Sequence, residues 1–365
     1  MQRFRVLVTV TVLFALGWSG WWLFAATAKE RALTGWLTNR AAAGWIAETR
    51  SLRVTGFPAR LDTLIEGLAL GDPGRGWGWE SEEFQILALA YQPNHIIAAW
   101  PGRHRVTWSE TLAARLPPLL RTALPPDRLG TAAWLSAESW RGSVVFVPGL
   151  DLTLDRLQTE IAQMQIEGEA GWTLQLDAAR LAARRAPDAD PAAHRYDLFA
   201  ELSNARLAPA PGDDTAAPPA LETLRISAQA SFDAPFDRHM VRRRPSALRA
   251  MTLDGATLSF GEVDIAATGA LTIDANGVPE GRFDLQIRNW RKALDLAVAQ
   301  GALDPALREQ LESGLAVLAV VSGGDGLRVP LLLSGGRVAL GPIPIGQAPR
   351  FTPPLPAALP IADQP

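Results

Sequence analysis

The segment from residue 257 to residue 287, TLSFGEVDIAATGALTIDANGVPEGRFDLQI, decides the fold class. Apolar and polar residues alternate in four stretches of it, at 257–260, 263–265, 270–273 and 283–287. A period of two is typical of a strand that buries one face and exposes the other. Asn276-Gly277 lies between the last two stretches and favours a tight turn with positive φ. The segment therefore predicts consecutive strands joined by short turns.

The same alternation recurs through most of the chain, and Leu150–Leu154 and Leu224–Ser227 are further examples. Helical spacing is found mainly near the two ends of the chain. We expect one helix to begin at Trp290, after the capping residue Asn289, and a second at Pro305, after Asp304. The alternation thus predicts a β-rich protein with few helices.

Residues 6–28 form a 23-residue stretch without a charged side chain. An α-helix rises about 1.5 Å per residue, so this stretch can cross a hydrocarbon core of about 30 Å. Trp18, Trp21 and Trp22 lie in its last third, and tryptophan is enriched at the membrane boundary. Ala26-Thr27-Ala28 matches the cleavage site of a signal peptide, whose apolar core is usually shorter, at about 7–15 residues. We expect a retained anchor, with a cleaved signal peptide or a hydrophobic core helix as the alternatives.

Positive charges lie on both sides of this stretch, at Arg3 and Arg5 before it and at Lys29, Arg31 and Arg40 after it. The charge bias of the positive-inside rule is therefore nearly balanced. Because the N-terminal tail is very short, we expect it to stay in the cytoplasm and residues 29–365 to be exported. The predicted fold class is mainly β with a few helices, in which an N-terminal transmembrane helix is followed by an elongated antiparallel β-rich region.

The sequence pattern divides the chain into six predicted segments. Residues 1–28 are the cytoplasmic tail and the anchor, and residues 29–50 are a stalk or juxtamembrane helix. A first β-rich module (51–206) is followed by an Ala/Pro linker (207–220), a second β-rich module with a C-terminal helical pair (221–347) and a disordered Pro-rich tail (348–365). The apolar spacing between Leu33 and Trp45 would also suit the first helix of a core, so both interpretations of 29–50 stay open.

Composition and motifs argue against most catalytic classes. Cysteine is absent, which excludes disulfides, thiol catalysis and zinc–thiolate sites, and a net charge of −3 gives no basic field for nucleic acid. The glycines at 74, 76 and 78 are followed by Trp79 where a dinucleotide fingerprint needs glycine. No carboxylate lies between His95 and His104 to complete a convincing metal set. We expect no enzymatic activity, no cofactor and no metal.

Three motifs carry a family resemblance: Gly56-Phe57-Pro58-Ala59-Arg60, Trp77-Gly78-Trp79 and, the most distinctive, YQPNHIIAAWP at 91–101. On these motifs the chain resembles an uncharacterised family of alphaproteobacterial envelope proteins, domain of unknown function 2125, over most of its exported part. The resemblance implies a single-pass protein of the bacterial inner membrane with residues 29–365 in the periplasm. It brings no established activity.

The C-terminal third is more remotely similar to the β-rich end of AsmA-like envelope proteins. The likeness rests on a Leu-x-Ile hairpin with Gly277 and Gly281, followed by helices and a Gly-rich pair of strands. AsmA-like proteins are anchored by one N-terminal span and have long curved sheets, apolar on the concave side, that are proposed to hold or carry lipids. The resemblance implies a similar role in envelope biogenesis or lipid transport.

We therefore predict that this protein binds lipid or another apolar envelope component along a curved sheet. The alternative is a non-enzymatic scaffold that binds other envelope proteins through sheet edges. The expected partners are the inner membrane, a phospholipid or lipopolysaccharide-type lipid, and envelope proteins, with no nucleic acid.

Two groups of residues are candidates for this binding. The candidate apolar groove comprises Phe260, Leu271, Ile273, Phe283, Leu285, Trp77, Trp79 and Trp100. Packing within the first module is the alternative for the three tryptophans. The run Arg242-Arg243-Arg244 is the candidate contact for lipid headgroups, because guanidinium groups suit phosphate, and a solvated surface loop is the alternative.

Overall fold

The computed structural model describes residues 2–114, 124–187, 190, 193–212, 218–240, 246–299, 303–321 and 326–351. Strands account for 53% of the described residues and helices for 23% of them, which confirms the mainly β fold class with a long apolar helix at the N-terminus. The helices among the described residues are α1 (Gln2–Ala42), α2 (Glu110–Ala113), α3 (Pro126–Leu129), α4 (Trp290–Ala299) and α5 (Pro305–Val321).

The first ten strands are β1 (Ile46–Glu48), β2 (Ser51–Thr55), β3 (Asp62–Asp72), β4 (Trp77–Leu89), β5 (Gln92–Ala99), β6 (Arg103–Trp108), β7 (Ala132–Phe146), β8 (Leu154–Gly168), β9 (Thr173–Arg185) and β10 (Arg195–Ala208). The remaining seven are β11 (Leu221–Phe232), β12 (Leu248–Phe260), β13 (Val263–Ile273), β14 (Pro279–Arg288), β15 (Gly326–Ser334), β16 (Arg337–Leu340) and β17 (Ile343–Gln347).

The chain forms two compact units. Unit 1 comprises Met1–Val144, Thr159–Asp177 and Leu207–Ala217, and unit 2 comprises Val145–Gln158, Ala178–Arg206 and Pro218–Pro365. The predicted division into modules at 51–206 and 221–347 stays a prediction. Residues 213–217 of the predicted linker and 352–365 of the predicted tail lie outside the described residues.

Unit 1 is built on antiparallel pairing around β3 and β4. Strands β1 and β2 both pair with β3, which pairs with β4, and β4 pairs in turn with β5 and β6. Helix α1 packs on this sheet, because Leu37 is buried in a cluster with Ile65 and Leu68 of β3. The C-terminal half of α1 therefore contacts the sheet through Leu37 while most of its residues are exposed, and both interpretations of residues 29–50 stay open.

Unit 2 contains a consecutive antiparallel meander from β10 to β17. The predicted turn at Asn276-Gly277 joins β13 to β14, where Gly277 has φ +78° and the Asp274 carboxylate accepts the backbone N–H groups of Asn276 and Val278 at 2.8 Å. Both predicted helix starts are confirmed: α4 begins at Trp290, and α5 begins at Pro305 with Asp304 accepting the N–H of Ala306 at 2.8 Å.

The predicted strand at Leu150–Leu154 is wrong. Strand β7 ends at Phe146 and β8 begins at Leu154, and the residues between them form a loop closed by a 2.8 Å hydrogen bond from the N–H of Val147 to the carbonyl of Thr153. Leu150 is 86% exposed in this loop. Alternation predicts a strand only where one face is covered, and nothing in the described structure covers Leu150.

Candidate functional site

One face of the unit 2 meander is apolar across six strands. Residues directly opposite one another in an antiparallel sheet point to the same face. One paired row runs from β10 through β15 and consists of Leu202, Leu224, Leu258, Ile265, Ile287 and Leu327. The row two residues along consists of Ala200, Ile226, Ala256, Ala267, Leu285 and Val329. The sheet therefore offers a continuous apolar surface rather than isolated apolar side chains.

The opposite face of the same strands is mainly polar. The row between the two apolar rows consists of Glu201, Arg225, Thr257, Ala266, Gln286 and Arg328. Arg225 and Thr257 are exposed, and the Arg225 guanidinium lies 5.4 Å from the centre of the Phe199 ring. Water therefore contacts this second face, and the two faces of each strand have opposite character.

The two helices of unit 2 cover only one end of the apolar face. Trp290, Leu311 and Leu315 are buried against Leu327 and Val329 of β15, with Leu285 and Ile287 of β14 packed on the same cluster. At the other end of the apolar face, the four residues that the first paired row places on β10, β11, β12 and β13 are partly exposed. They belong to none of the buried clusters that the described residues form. We call these four residues, Leu202, Leu224, Leu258 and Ile265, the uncovered row.

The five groove residues predicted in unit 2 do not share one environment. Leu271, Ile273 and Phe283 are buried with Leu333 in a cluster of their own, and Leu285 packs against both this cluster and the one under the helices. Phe260 is partly exposed at the end of β12, two residues from Leu258. Phe260 is thus the predicted groove residue that adjoins the uncovered row.

Period-two alternation also marks the other members of the uncovered row. It could not distinguish them from Leu271 or Phe283, because the side chains that bury those two residues come from other strands, distant in sequence.

The three tryptophans predicted for the groove lie in unit 1 and pack on other aromatic rings. Trp77 meets Trp45 edge-on at 5.5 Å between ring centres, Trp79 meets Phe84 edge-on at 5.3 Å, and Trp100 stacks on Trp140 at 4.9 Å. All three are partly exposed.

His104 lies within this aromatic group and was not singled out as a core residue by the sequence. Its side chain is 1% exposed, and its ring is 6.1 Å from that of Trp79 and 5.7 Å from that of Trp140. Neither ring nitrogen makes a hydrogen bond of normal geometry within the described structure. Burial lowers the pKa of His104, and the nearby Trp100 backbone opposes this shift only in part. The histidine is therefore held neutral in an apolar setting.

The predicted contact for lipid headgroups lies outside the described residues. Arg242, Arg243 and Arg244 fall outside the described residues, so their role as a headgroup contact stays a prediction. Among the described residues no group of three His, Asp or Glu side chains could hold a metal ion.

Helix α1 is the one described helix that is long and apolar enough to cross a membrane. Residues 2–17 of this helix are exposed on all sides, and Phe4, Leu7, Leu13, Phe14 and Leu16 are each more than 60% exposed. Exposure of so many large apolar side chains to water is unfavourable.

Comparison with known proteins gives one match. A family model described as "Uncharacterized protein conserved in bacteria (DUF2125)" matches residues 22–349. No curated protein and no solved structure matches the chain. The comparisons do not show the more remote similarity to AsmA-like proteins.

Proposed function

The chain belongs to the DUF2125 family of bacterial proteins, and from the structure of this member we propose a membrane-anchored, non-enzymatic protein that binds the acyl chains of lipids on the uncovered row of unit 2. In this proposal α1 anchors the protein in the inner membrane and residues 29–365 lie in the periplasm. The bound lipid is a phospholipid or a lipopolysaccharide-type lipid, and the role is in envelope biogenesis or lipid transport.

The observation that carries the proposal is the uncovered row itself. Four paired strands each place a Leu or Ile on one face, and all four side chains remain partly exposed although helices cover the same face from the adjoining strand β14 onward. A soluble protein rarely leaves a contiguous apolar surface open, and such surfaces mark binding sites. The apolar face continues under the helices, so an occupant of the uncovered row would complete a core that the protein leaves partly open.

The energetics favour a ligand that is itself apolar. The side chains of the uncovered row are already partly buried, so covering them fully contributes only a modest amount. Each methylene of an acyl chain that leaves water for this face contributes about 0.8 kcal/mol. The ligand's own apolar surface therefore supplies most of the driving force, and it must exceed the cost of ordering the chain.

Site-specific photocrosslinking tests the proposal in the full chain. A photoreactive amino acid at Leu258 would face the proposed ligand, whereas the same residue at Thr257 would lie on the polar face, one position away on β12. We expect irradiation in membranes to attach lipid at position 258 but not at position 257, and mass spectrometry of the adduct identifies the lipid. Lipid adducts of equal yield at both positions, or none at 258, would refute the proposal.

The alternative function, a scaffold for other envelope proteins, makes a different prediction in the same experiment. Pairing through sheet edges predicts no adduct at position 258, because β12 is paired on both sides, and a specific protein adduct there without lipid would indicate a protein partner on the face instead.

A further inference from the structure

Helix α1 docks onto a loop of unit 1 while still within its apolar stretch. Three hydrogen bonds join them: the indole of Trp18 donates to the carbonyl of Pro58 at 2.9 Å, the indole of Trp22 to that of Arg60 at 2.7 Å, and the ammonium of Lys29 to that of Leu61 at 2.6 Å. The three donors are four and seven residues apart and so share one face of the helix. The loop therefore lies beside the last turns of the apolar stretch.

A second loop joins the first at the same place. The N–H of Ala90 donates to the carbonyl of Ala59 at 2.8 Å, and Ala90 is buried with Leu61 against Trp22 and Ala26 of the helix. We call the two segments, residues 56–61 and 89–92, the docked loops. Hydrogen bonds and apolar packing fix them to the helix as one rigid group.

The docked loops carry unusual surface residues. Phe57 is 55% exposed and Tyr91 is 64% exposed, and among the described residues between 47 and 149 they are the only large apolar side chains with high exposure. The Phe57 ring contacts Trp22 edge-on at 5.5 Å between ring centres. Trp21 and Phe24 of the helix are also exposed, at 43% and 72%. The exposed Phe57 thus lies directly against the span, whose neighbouring residues Trp21 and Phe24 are also exposed.

The position of the loops along the helix restricts where the membrane can end. Trp18 and Ala28 are ten residues apart, or about 15 Å along the helix axis. If the hydrocarbon core reached Ala28, the backbone of the docked loops would lie deep inside it, where peptide groups without partners are strongly unfavourable. The uncharged residues from Val6 to Trp22 number 17 and cover about 24 Å, the short end of the range for a membrane span, and Arg5 before them can extend its guanidinium to the opposite boundary. The boundary therefore falls near Trp18 and Trp22, where indole rings are favoured.

We infer that the docked loops lie in the headgroup region of the membrane, as a second membrane contact beside the span, with Phe57 and Tyr91 inserted among the lipids. This inference rests on the proposed membrane anchor but not on lipid binding by unit 2. The partner is the bilayer surface itself, because the side chains presented are those that favour an interface between water and hydrocarbon.

The far end of the β3–β4 hairpin supplies a matched control. Strand β3 begins at Asp62 beside the docked loops and runs for 11 residues, or roughly 33 Å at 3.3 Å per residue, to the turn that contains Arg75. Helix α1 and the residues just after it follow the hairpin, since Leu37 of the helix packs on β3 and Trp45, three residues beyond its end, contacts Trp77. Arg75 is exposed and lies well away from the membrane in this arrangement.

The absence of cysteine makes single-site labelling direct. The full chain carrying Phe57→Cys, Tyr91→Cys, Arg75→Cys or Leu13→Cys would be labelled with the fluorophore NBD and reconstituted into phosphatidylethanolamine–phosphatidylglycerol vesicles. The vesicles contain phospholipids with a nitroxide quencher either near the headgroup or near the end of the acyl chain. We expect strong loss of emission at positions 57 and 91 with the shallow quencher, at position 13 with the deep quencher, and no loss at position 75.

Two results would overturn the inference in distinguishable ways. If position 13 is quenched but positions 57 and 91 are not, or if position 75 is quenched as strongly as position 91, the span is confirmed and the second contact is wrong. If position 13 is not quenched by either lipid, the proposed anchor itself fails, and the inference fails with it.

Discussion

Replacing Leu258 and Phe283 by aspartate separates an open binding face from a closed core. Phe283 is 9% exposed within the cluster of Leu271, Ile273 and Leu333. Removing a buried Phe side chain costs about 3–5 kcal/mol, and a buried carboxyl group without a partner adds about 1–3 kcal/mol or more. The total is comparable to the 5–15 kcal/mol that typically stabilises a domain. We therefore expect Phe283→Asp to unfold unit 2.

Leu258→Asp should behave differently because the uncovered row remains in contact with water. Its carboxylate keeps part of its hydration, so the expected loss is about 1–2 kcal/mol, near the centre of the distribution for point mutations. The fold should survive, and lipid recovered with the purified protein should be lost. Thr257→Asp, on the polar face beside Arg225, is the matched control and should change neither quantity.

The assay combines circular dichroism during urea unfolding with mass spectrometry of co-purified lipids, on the full chain in detergent. If Leu258→Asp unfolds unit 2 as completely as Phe283→Asp, the uncovered row is an ordinary core and the reasoning is refuted. A folded Leu258→Asp protein that retains as much lipid as the wild type would refute the assignment of the binding face.

Three further predictions test the packing, the buried histidine and the topology. Leu315→Ala, at a 1% exposed site on α5, should lower the free energy of unfolding by about 2–5 kcal/mol, whereas Val317→Ala, at a 69% exposed site, should change it by about 0.5 kcal/mol or less in urea titrations. Burial lowers the pKa of His104 below its ordinary value of 6.5, so as the pH falls below 6.5 the unfolded chain binds a proton at this residue that the folded chain does not. The free energy of unfolding should therefore decrease as the pH falls below 6.5. His104→Phe should remove this part of the pH dependence in urea titrations, and an unchanged pH dependence would contradict the prediction. A reporter that is active only after export should be active when fused after Gln347, and activity of a cytoplasm-specific reporter at that position would contradict the periplasmic location.

Local chemistry was predictable from the sequence. The turn at Asn276-Gly277 and the helix start at Pro305 depend on side chains within a few positions of one another. The helix start at Trp290 was also predicted correctly, but the Asn289 side chain donates to the carbonyl of Glu262 instead of capping the helix. The apolar stretch at 6–28 likewise predicted the N-terminal part of α1, because length and composition alone decide it.

Contacts between distant residues were not predictable in the same way. Leu258 and Phe283 have the same alternating surroundings in sequence, and only packing against residues of other strands, among them Leu333, decides that Phe283 is buried. The bonds from Trp18 and Trp22 to the docked loops join residues about forty positions apart. His104 gave no sequence signal for burial, because the rings of Trp79 and Trp140 come from other strands.

The continuity of α1 couples the rotation of its apolar N-terminal part to that of the sheet. Trp22 is held by the docked loops and Leu37 by β3, and unbroken helix connects them. Adding one residue between them would rotate one contact relative to the other by about 100° and shift it by about 1.5 Å. Both contacts could not then form on a straight helix. The 15-residue interval between Trp22 and Leu37 thus fixes the rotation of the sheet about the axis of the helix.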